Sequence, residues 1–284
     1  QDRFAWATLW LLLQEGLCGR RTVDGLKRHR IWLVPMDHMP RRRLAVLTMV
    51  MVTSAWLILG YATWIMNGCR AWLPYISDFD LYEPGDTIFT VGTFASGFLV
   101  FWIVMELHSM NMARLTEKGH SKLWQGINHL AVFPGLIGAF SCIRIGSVPW
   151  NTDGPMHGHY ALDIFYNGVY WCLLVTFVSA KIWWSSQSFR RILWMRLGAA
   201  LSAAVGLFKM ITTQVDVWGG DFDWDAYNAS ASNMLEFCTE ALEPAINTGA
   251  AWEYLLVAGI LGTILSFLPE ISFDEGAESQ ESEE

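Results

Sequence analysis

Six apolar stretches, each about twenty residues long, leave this 284-residue chain few ways to fold. A helix needs roughly 20 apolar residues to cross the hydrocarbon of a bilayer. Windows of that kind run over residues 44–66, 88–107, 127–148, 161–184, 192–215 and 248–268. In lipid every backbone amide must be satisfied internally, so only helices and closed barrels span it. Stretches of this length select helices. The expected fold class is all-α: a polytopic membrane protein built as a six-helix transmembrane bundle. Composition agrees, because only 16% of the residues are charged against about 25% in soluble domains. Sixteen Trp and sixteen Phe supply the aromatics that gather at membrane–water borders. Residues 4–13 (FAWATLWLLL) are too short to cross and read as an amino-terminal interfacial helix, or as the remnant of a longer segment. An opening Gln1 in place of Met predicts a trimmed or processed start.

Charge then sets an orientation. The first 43 residues hold nine Arg or Lys, among them Arg20, Arg21, Lys27, Arg28, Arg30, Arg41, Arg42 and Arg43. The connection after span two adds Arg114, Lys118 and Lys122, and the one after span four adds Arg190 and Arg191. The connections after spans one, three and five carry only Arg70. Basic connections mark the cytosolic side, so both termini are expected in the cytosol. Three units follow: a cytosolic basic arm (1–43), the six-span domain (44–268) and an acidic, disordered cytosolic tail (269–284) whose last eleven residues hold six acids. A net charge of −8 distributed in this way argues against nucleic acid as a partner. The expected partners are membrane lipids and, with them, other membrane or peripheral membrane proteins. The arm suits anionic lipid, and plain topology signalling explains it equally well.

Two features of the outer connections agree with this topology. The sequon Asn228-Ala229-Ser230 is a glycosylation candidate in loop five. Cys69 and Cys238 fall in outer loops one and five, where an oxidising compartment permits a disulfide; two unpaired thiols are the alternative.

Ionisable residues inside a membrane are costly and mark candidate sites. Arg144, Asp163, Lys209 and Glu253 lie in spans three to six. At 1.5 Å per helical residue, all four sit within roughly 10 Å of the outer border. Two cations and two anions at one depth suggest the pairs Arg144–Asp163 and Lys209–Glu253, either as locks between helices or as a polar site for a lipid headgroup. Glu106, His108 and His129 form a smaller candidate cluster near the inner border. Small residues in span five (Gly198, Ala199, Ala203, Gly206) and span six (Ala258, Gly259, Gly262) predict close helix approach.

Metal chemistry has one weak foothold. Asp153, His157, His159 and Asp163 surround loop three, and two His one residue apart can share a metal. A solvated loop is the simpler reading of the same residues. The sequence shows no nucleophile elbow, phosphate-binding Gly loop or HExxH motif. No cofactor and no catalytic residue is expected from this pattern. The acids of loops one and five, Asp78, Asp80, Glu83 and Asp86 among them, match no calcium loop and read as a solvated anionic face.

The first outer loop carries the most distinctive run, Pro74-Tyr75-Ile76-Ser77-Asp78, followed by Glu83-Pro84. Pro74 stops the exiting helix, and Ser77 and Asp78 are turn and cap formers, so the run predicts a structured loop folded back on the helix ends. A loop that contacts a ligand is the other reading. With six spans and both ends inside, these residues resemble the DRAM/Frag/Sfk family, whose recognisable signature is this run with an acidic-Pro element after it. Trp252-Glu253, after Ala250-Ala251, is similar to the family's late Glu-Trp region in reversed order. Where the family commonly has Thr-Gly after the Asp, this chain has Phe79-Asp80. The resemblance implies a lipid-linked accessory or regulatory role without catalysis: autophagy modulation from an endolysosomal membrane, organisation of phosphoinositide-kinase assemblies at the plasma membrane, or assistance in GPI-lipid remodelling at a Golgi-type membrane. A metal-dependent membrane lipid hydrolase and a subunit of a channel or mechanosensitive complex are the alternatives.

Overall fold

Every described element is helical, as the apolar windows require. The computed structural model describes residues 41–218 and 244–272, together with 229, 232, 233, 237 and 238 between them. The side chains of 216–218 and 244–247 are not included. The interfacial segment 4–13, most of the basic arm, the sequon at Asn228 and the tail beyond 272 lie outside the described residues.

Among the described residues, six helices are long and apolar enough to cross a membrane. They are α1 (Arg41–Met66), α2 (Gly85–Glu117), α3 (Lys122–Ile145), α4 (Gly154–Trp183), α5 (Gln187–Trp218) and α6 (Pro244–Leu265). A short 3-10 helix, Ile76–Leu81, lies between α1 and α2. No strand occurs among the described residues. The end of the bundle that holds this short helix is called the loop end below. Phe94, Phe98, Phe101, Phe133, Phe140, Phe177 and Phe208 are all at least half exposed on the flanks, a girdle that water would penalise and lipid accepts.

Several helices run past their apolar windows. Helix α2 continues through Ser109–Glu117 and ends where Gly119, at φ 64°, takes the left-handed conformation. There the His120 amide donates to the Leu115 carbonyl and the Gly119 amide to Thr116, the paired bonds that close a helix at a glycine. Helix α4 begins seven residues before its window. The Asp153 carboxylate accepts the Met156 amide at 3.1 Å, and Pro155 stands in the first turn, where its missing N–H costs nothing. His157 and His159 therefore lie on a helix and not, as expected, in a loop.

Consecutive helices pack side by side, and α5 with α6 is the most extensive pair. The predicted small residues explain its closeness. A Cβ at Gly259 would lie 2.5 Å from the Ala203 nitrogen and 2.6 Å from the Ala199 carbonyl oxygen. One at Gly206 would lie 2.7 Å from the Leu256 nitrogen. Nothing but hydrogen fits at either position. The central core, including Ile103, Leu107, Trp171, Cys172 and Ile264, joins α2, α4 and α6.

A charged lock closes the end opposite the loop. Arg196 of α5 and Glu270 are fully buried, with Nη2 and Oε1 2.7 Å apart. Arg196 also donates from Nε to Ser266 Oγ at 2.8 Å, from Nη2 to the Ser266 carbonyl at 2.9 Å, and from Nη1 to Ser179 Oγ. Ser179 of α4 donates to Glu270 at 2.9 Å, and the guanidinium lies 3.5 Å from the Phe267 ring centroid. Glu270 and Ile271 belong to the packed body, so ordered chain reaches past the expected boundary at 268. Such a pair is strongly needed once both charges are buried, because removing one leaves the other uncompensated.

The contact between α5 and α6 gives a direct test. Gly259→Leu is expected to destabilise the protein by about 1–3 kcal/mol through overpacking. Gly198, with nothing within 4 Å of its Cβ position, should accept alanine with a gain of up to about 1 kcal/mol. Thermal unfolding of both variants in detergent measures the contrast.

Candidate functional site

The loop after α1 turns back into the bundle. Gly68, at φ 85°, redirects the chain, and Cys69 forms a disulfide with Cys238, their Cα atoms 5.1 Å apart. The Arg70 amide donates to the Cys238 carbonyl. After Trp72, Leu73 and Pro74 the chain enters the 3-10 helix. Its start is capped reciprocally: the Tyr75 amide donates to Asp78 Oδ2 at 2.9 Å, and the Asp78 amide donates to the Tyr75 carbonyl at 3.0 Å. Asp78 thus performs the cap expected from its residue type. Glu83 accepts the Thr87 hydroxyl at 3.0 Å in the first turn of α2, directly after Pro84.

One bond ties this loop to the far end of the sequence. The Ile76 amide donates to Glu253 Oε2 at 2.8 Å, across 177 residues. Glu253 is buried on α6, and Tyr75 reaches over Gly249 one turn away, where any Cβ would collide with its hydroxyl. Phe79 lies against Gly60 of α1 in the same way. That glycine makes room for the aromatic ring where the resembling family commonly has Thr-Gly.

Beneath this roof lies a partly enclosed cavity of about 150 Å³. Its wall is drawn from α1, α2, α3, α4 and α6, and is almost wholly apolar. Pro134, Gly135, Gly138 and Gly168 widen it by carrying little or no side chain, while Ile76, Ser77, His157 and Glu253 close the loop end. Midway along, the Thr53 and Ser96 hydroxyls bond each other at 2.9 Å, and Trp56 Nε1 donates to Ser96 at 3.0 Å.

The four intramembrane charges do not assemble as paired. Glu253 takes the loop amide in place of Lys209. Arg144 and Lys209 are exposed, and neither has a side-chain hydrogen bond or ion pair with another described residue. Asp163 receives Ser141 Oγ at 3.4 Å and stands 3.6 Å from His159 Nε2. A similar depth along the helices was not enough to bring the four charges together. The two candidate metal ligands also separate. His157 is buried with Nδ1 2.6 Å from the Val148 carbonyl, whereas His159 is exposed beside Asp163. No group of three metal-ligating side chains occurs among the described residues. At the opposite border His108 bonds Asn128, and His129 packs on its ring at 4.8 Å, but Glu106 turns to Arg42 and Trp102.

The acids of loop one are less solvated than expected. Asp78 and Asp80 are both buried, and neither oxygen of Asp80 has a hydrogen-bond partner among the described residues. Burial pushes the Asp78 carboxyl up to about 7 against the opposing Tyr75 amide. Burial, reinforced by the neighbouring Asp86, pushes Asp80 up to about 8. Their sequence signal was the aromatic partner: Phe79 between them, and Trp150 and Tyr75 around them, form one apolar cluster with Phe89 and Phe237.

Fold and site together define a polytopic α-helical membrane protein with an interior apolar cavity roofed by a folded-back, disulfide-anchored loop. Residues 42–272 match the family described as Frag1/DRAM/Sfk1/Cwh43P N-terminal domain, and the chain belongs to that family. No curated protein and no solved structure matches it.

The raised carboxyls give the loop end a pH dependence. In the folded state each keeps its proton after the unfolded chain has released it, so their contribution is undiminished below about pH 4. It falls as pH climbs to about 7 for Asp78 and about 8 for Asp80. Asp80→Asn should flatten the decline of Tm between about pH 4 and pH 8, as measured by thermal unfolding across that range.

Proposed function

We propose that this protein is a non-enzymatic, lipid-linked accessory or regulatory protein of the membrane, and that lipid enters the cavity beneath its signature loop. The observation that carries this reading is the cavity itself: an apolar space inside a membrane-spanning bundle, closed by the loop that marks the family. A cavity of about 150 Å³ is the size that holds a benzene ring, so it suits part of one acyl chain and not an entire phospholipid. The roles implied by the family resemblance, in autophagy and endolysosomal membranes, in phosphoinositide-kinase organisation and in GPI-lipid remodelling, share this dependence on lipid. In this reading both termini are cytosolic, which the basic connections support, and the loop end, the disulfide and a glycosylated Asn228 face the lumen or the exterior.

The alternatives draw less support from the geometry. A metal-dependent hydrolase needs converging ligands, whereas His157 is committed to the Val148 carbonyl and His159 stands outside. A channel needs free polar groups along a route, whereas the hydroxyls midway along the described wall, Thr53, Thr93 and Ser96, are committed to protein partners.

Co-purified lipid tests the proposal. A Cβ at Gly168 meets only the flexible end of Ile260, at 2.9 Å, so Gly168→Leu should fill the cavity at tolerable cost. Mass spectrometry of the gently purified full chain is expected to find a tightly retained lipid, and the variant should retain about tenfold less, equivalent to about 1.4 kcal/mol of lost affinity. Equal retention by a folded variant would contradict the cavity as the lipid site.

A further inference from the structure

The cavity wall has very little unused polar capacity, and what it has is concentrated at one end. Thr53, Ser96 and Trp56 satisfy one another. Thr93 donates to the Phe89 carbonyl, and Cys142 Sγ to the Thr93 carbonyl. Glu253 holds the Ile76 amide. Two groups are left over. Ser77 Oγ makes no hydrogen bond to another described residue. His157 Nε2 is buried without a partner, in a side chain only 4% exposed.

The other ring nitrogen says what Nε2 lacks. A carbonyl oxygen only accepts, so Nδ1, 2.6 Å from the Val148 carbonyl, carries the ring proton. In the neutral imidazole Nε2 is then a bare acceptor, and a buried acceptor without a donor is costly. Charge narrows the choice of donor further. Among the described residues no Lys or Arg lines the cavity, so a phosphate or carboxylate headgroup meets no cation from them and would face the Glu253 carboxyl. A hydroxyl fits instead, because it donates one hydrogen bond and accepts another.

We propose that the cavity is a site for a neutral lipid alcohol, whose apolar chain fills the space between α1, α2, α3, α4 and α6 and whose hydroxyl donates to His157 Nε2 and accepts from the Ser77 hydroxyl. The inference rests on the cavity being the lipid site and adds the chemistry of its occupant. It also gives the loop a sensing role, since Ser77 adjoins Ile76, the residue whose amide holds the roof on Glu253. Occupancy is thereby read by the same short helix that closes the cavity.

The test uses the full chain in micelles with two photoactivatable probes, a diazirine-bearing hexadecanol and its methyl ether. The ether keeps the chain and the acceptor oxygen but has no proton to donate. Labelling of cavity-wall peptides by the alcohol, competed by unlabelled hexadecanol, should exceed labelling by the ether about tenfold, the value of one buried hydrogen bond. His157→Phe should reduce the alcohol to the level of the ether. Ser77→Ala, a smaller change that leaves the Val148 contact intact, should weaken the alcohol several-fold without abolishing its preference. Equal wild-type labelling by both probes would overturn the hydroxyl site and leave an unselective apolar cavity. Absence of cavity labelling by either probe would overturn the lipid cavity as well, and the hydroxyl site with it.

Discussion

The hydrogen bond from the Ile76 amide to Glu253 is the interaction on which the loop end depends. A carboxyl inside an apolar bundle has lost its water, and its burial is tolerable only with good hydrogen bonding in return. Here the compensating group is a backbone amide at the start of a 3-10 helix, whose own orientation depends on the Asp78 cap. A hydrogen bond of this kind contributes about 0.5–1.5 kcal/mol net, enough to bias whether a short loop lies down or stands away. Once it lies down, Tyr75 covers Gly249, Phe79 covers Gly60, and a cavity open toward the loop end becomes a roofed one. The disulfide acts in the same direction, since a cross-link closing 169 residues of sequence restricts the alternatives of the unfolded chain.

The opposite end is built on other principles. Arg196 and Glu270 form a fully buried pair in which nearly every donor and acceptor is used, and from there α5 and α6 run backbone to backbone as far as Gly206 against Trp252, next to Glu253. Lipid tails are as apolar as leucine, so packing in a bilayer relies on close fit and polar contacts. The lock and the small-residue seam supply both. The molecule therefore combines a tightly joined end with a roofed, cavity-bearing end.

What the sequence made legible follows from what each signal measures. Apolar length located all six spans because crossing a bilayer is a one-dimensional constraint. The turn chemistry of Asp78 and the glycine seam were also readable, since each depends on residue type, while Cys69 and Cys238 stood as a candidate pair against two unpaired thiols and the structure joins them. Direction around a helix was not. Core-facing and lipid-facing positions are both apolar here, so Arg144 and Lys209 could be placed in depth but not turned outward, and Glu253 was assigned a lysine when its partner was a loop amide. Helix α4 was begun late because hydropathy overlooks polar first turns, although Asp153 and Pro155 spell a helix start. Arg196 lies inside the fifth apolar window, and Glu270 looked like part of an acidic tail. Their attraction was invisible until both were buried. The cavity escaped notice because an empty space has no residues of its own; its faint traces were Gly135, Gly138 and Gly168 beside Pro134.

A high-resolution cryo-EM map of the full chain in native-lipid nanodiscs tests the central claim most directly. The account predicts the 3-10 helix seated on α6, with the Ile76 amide on Glu253 and elongated non-protein density in the space beneath. A loop lifted away from Glu253, or a bundle whose side chains fill that space, would contradict it.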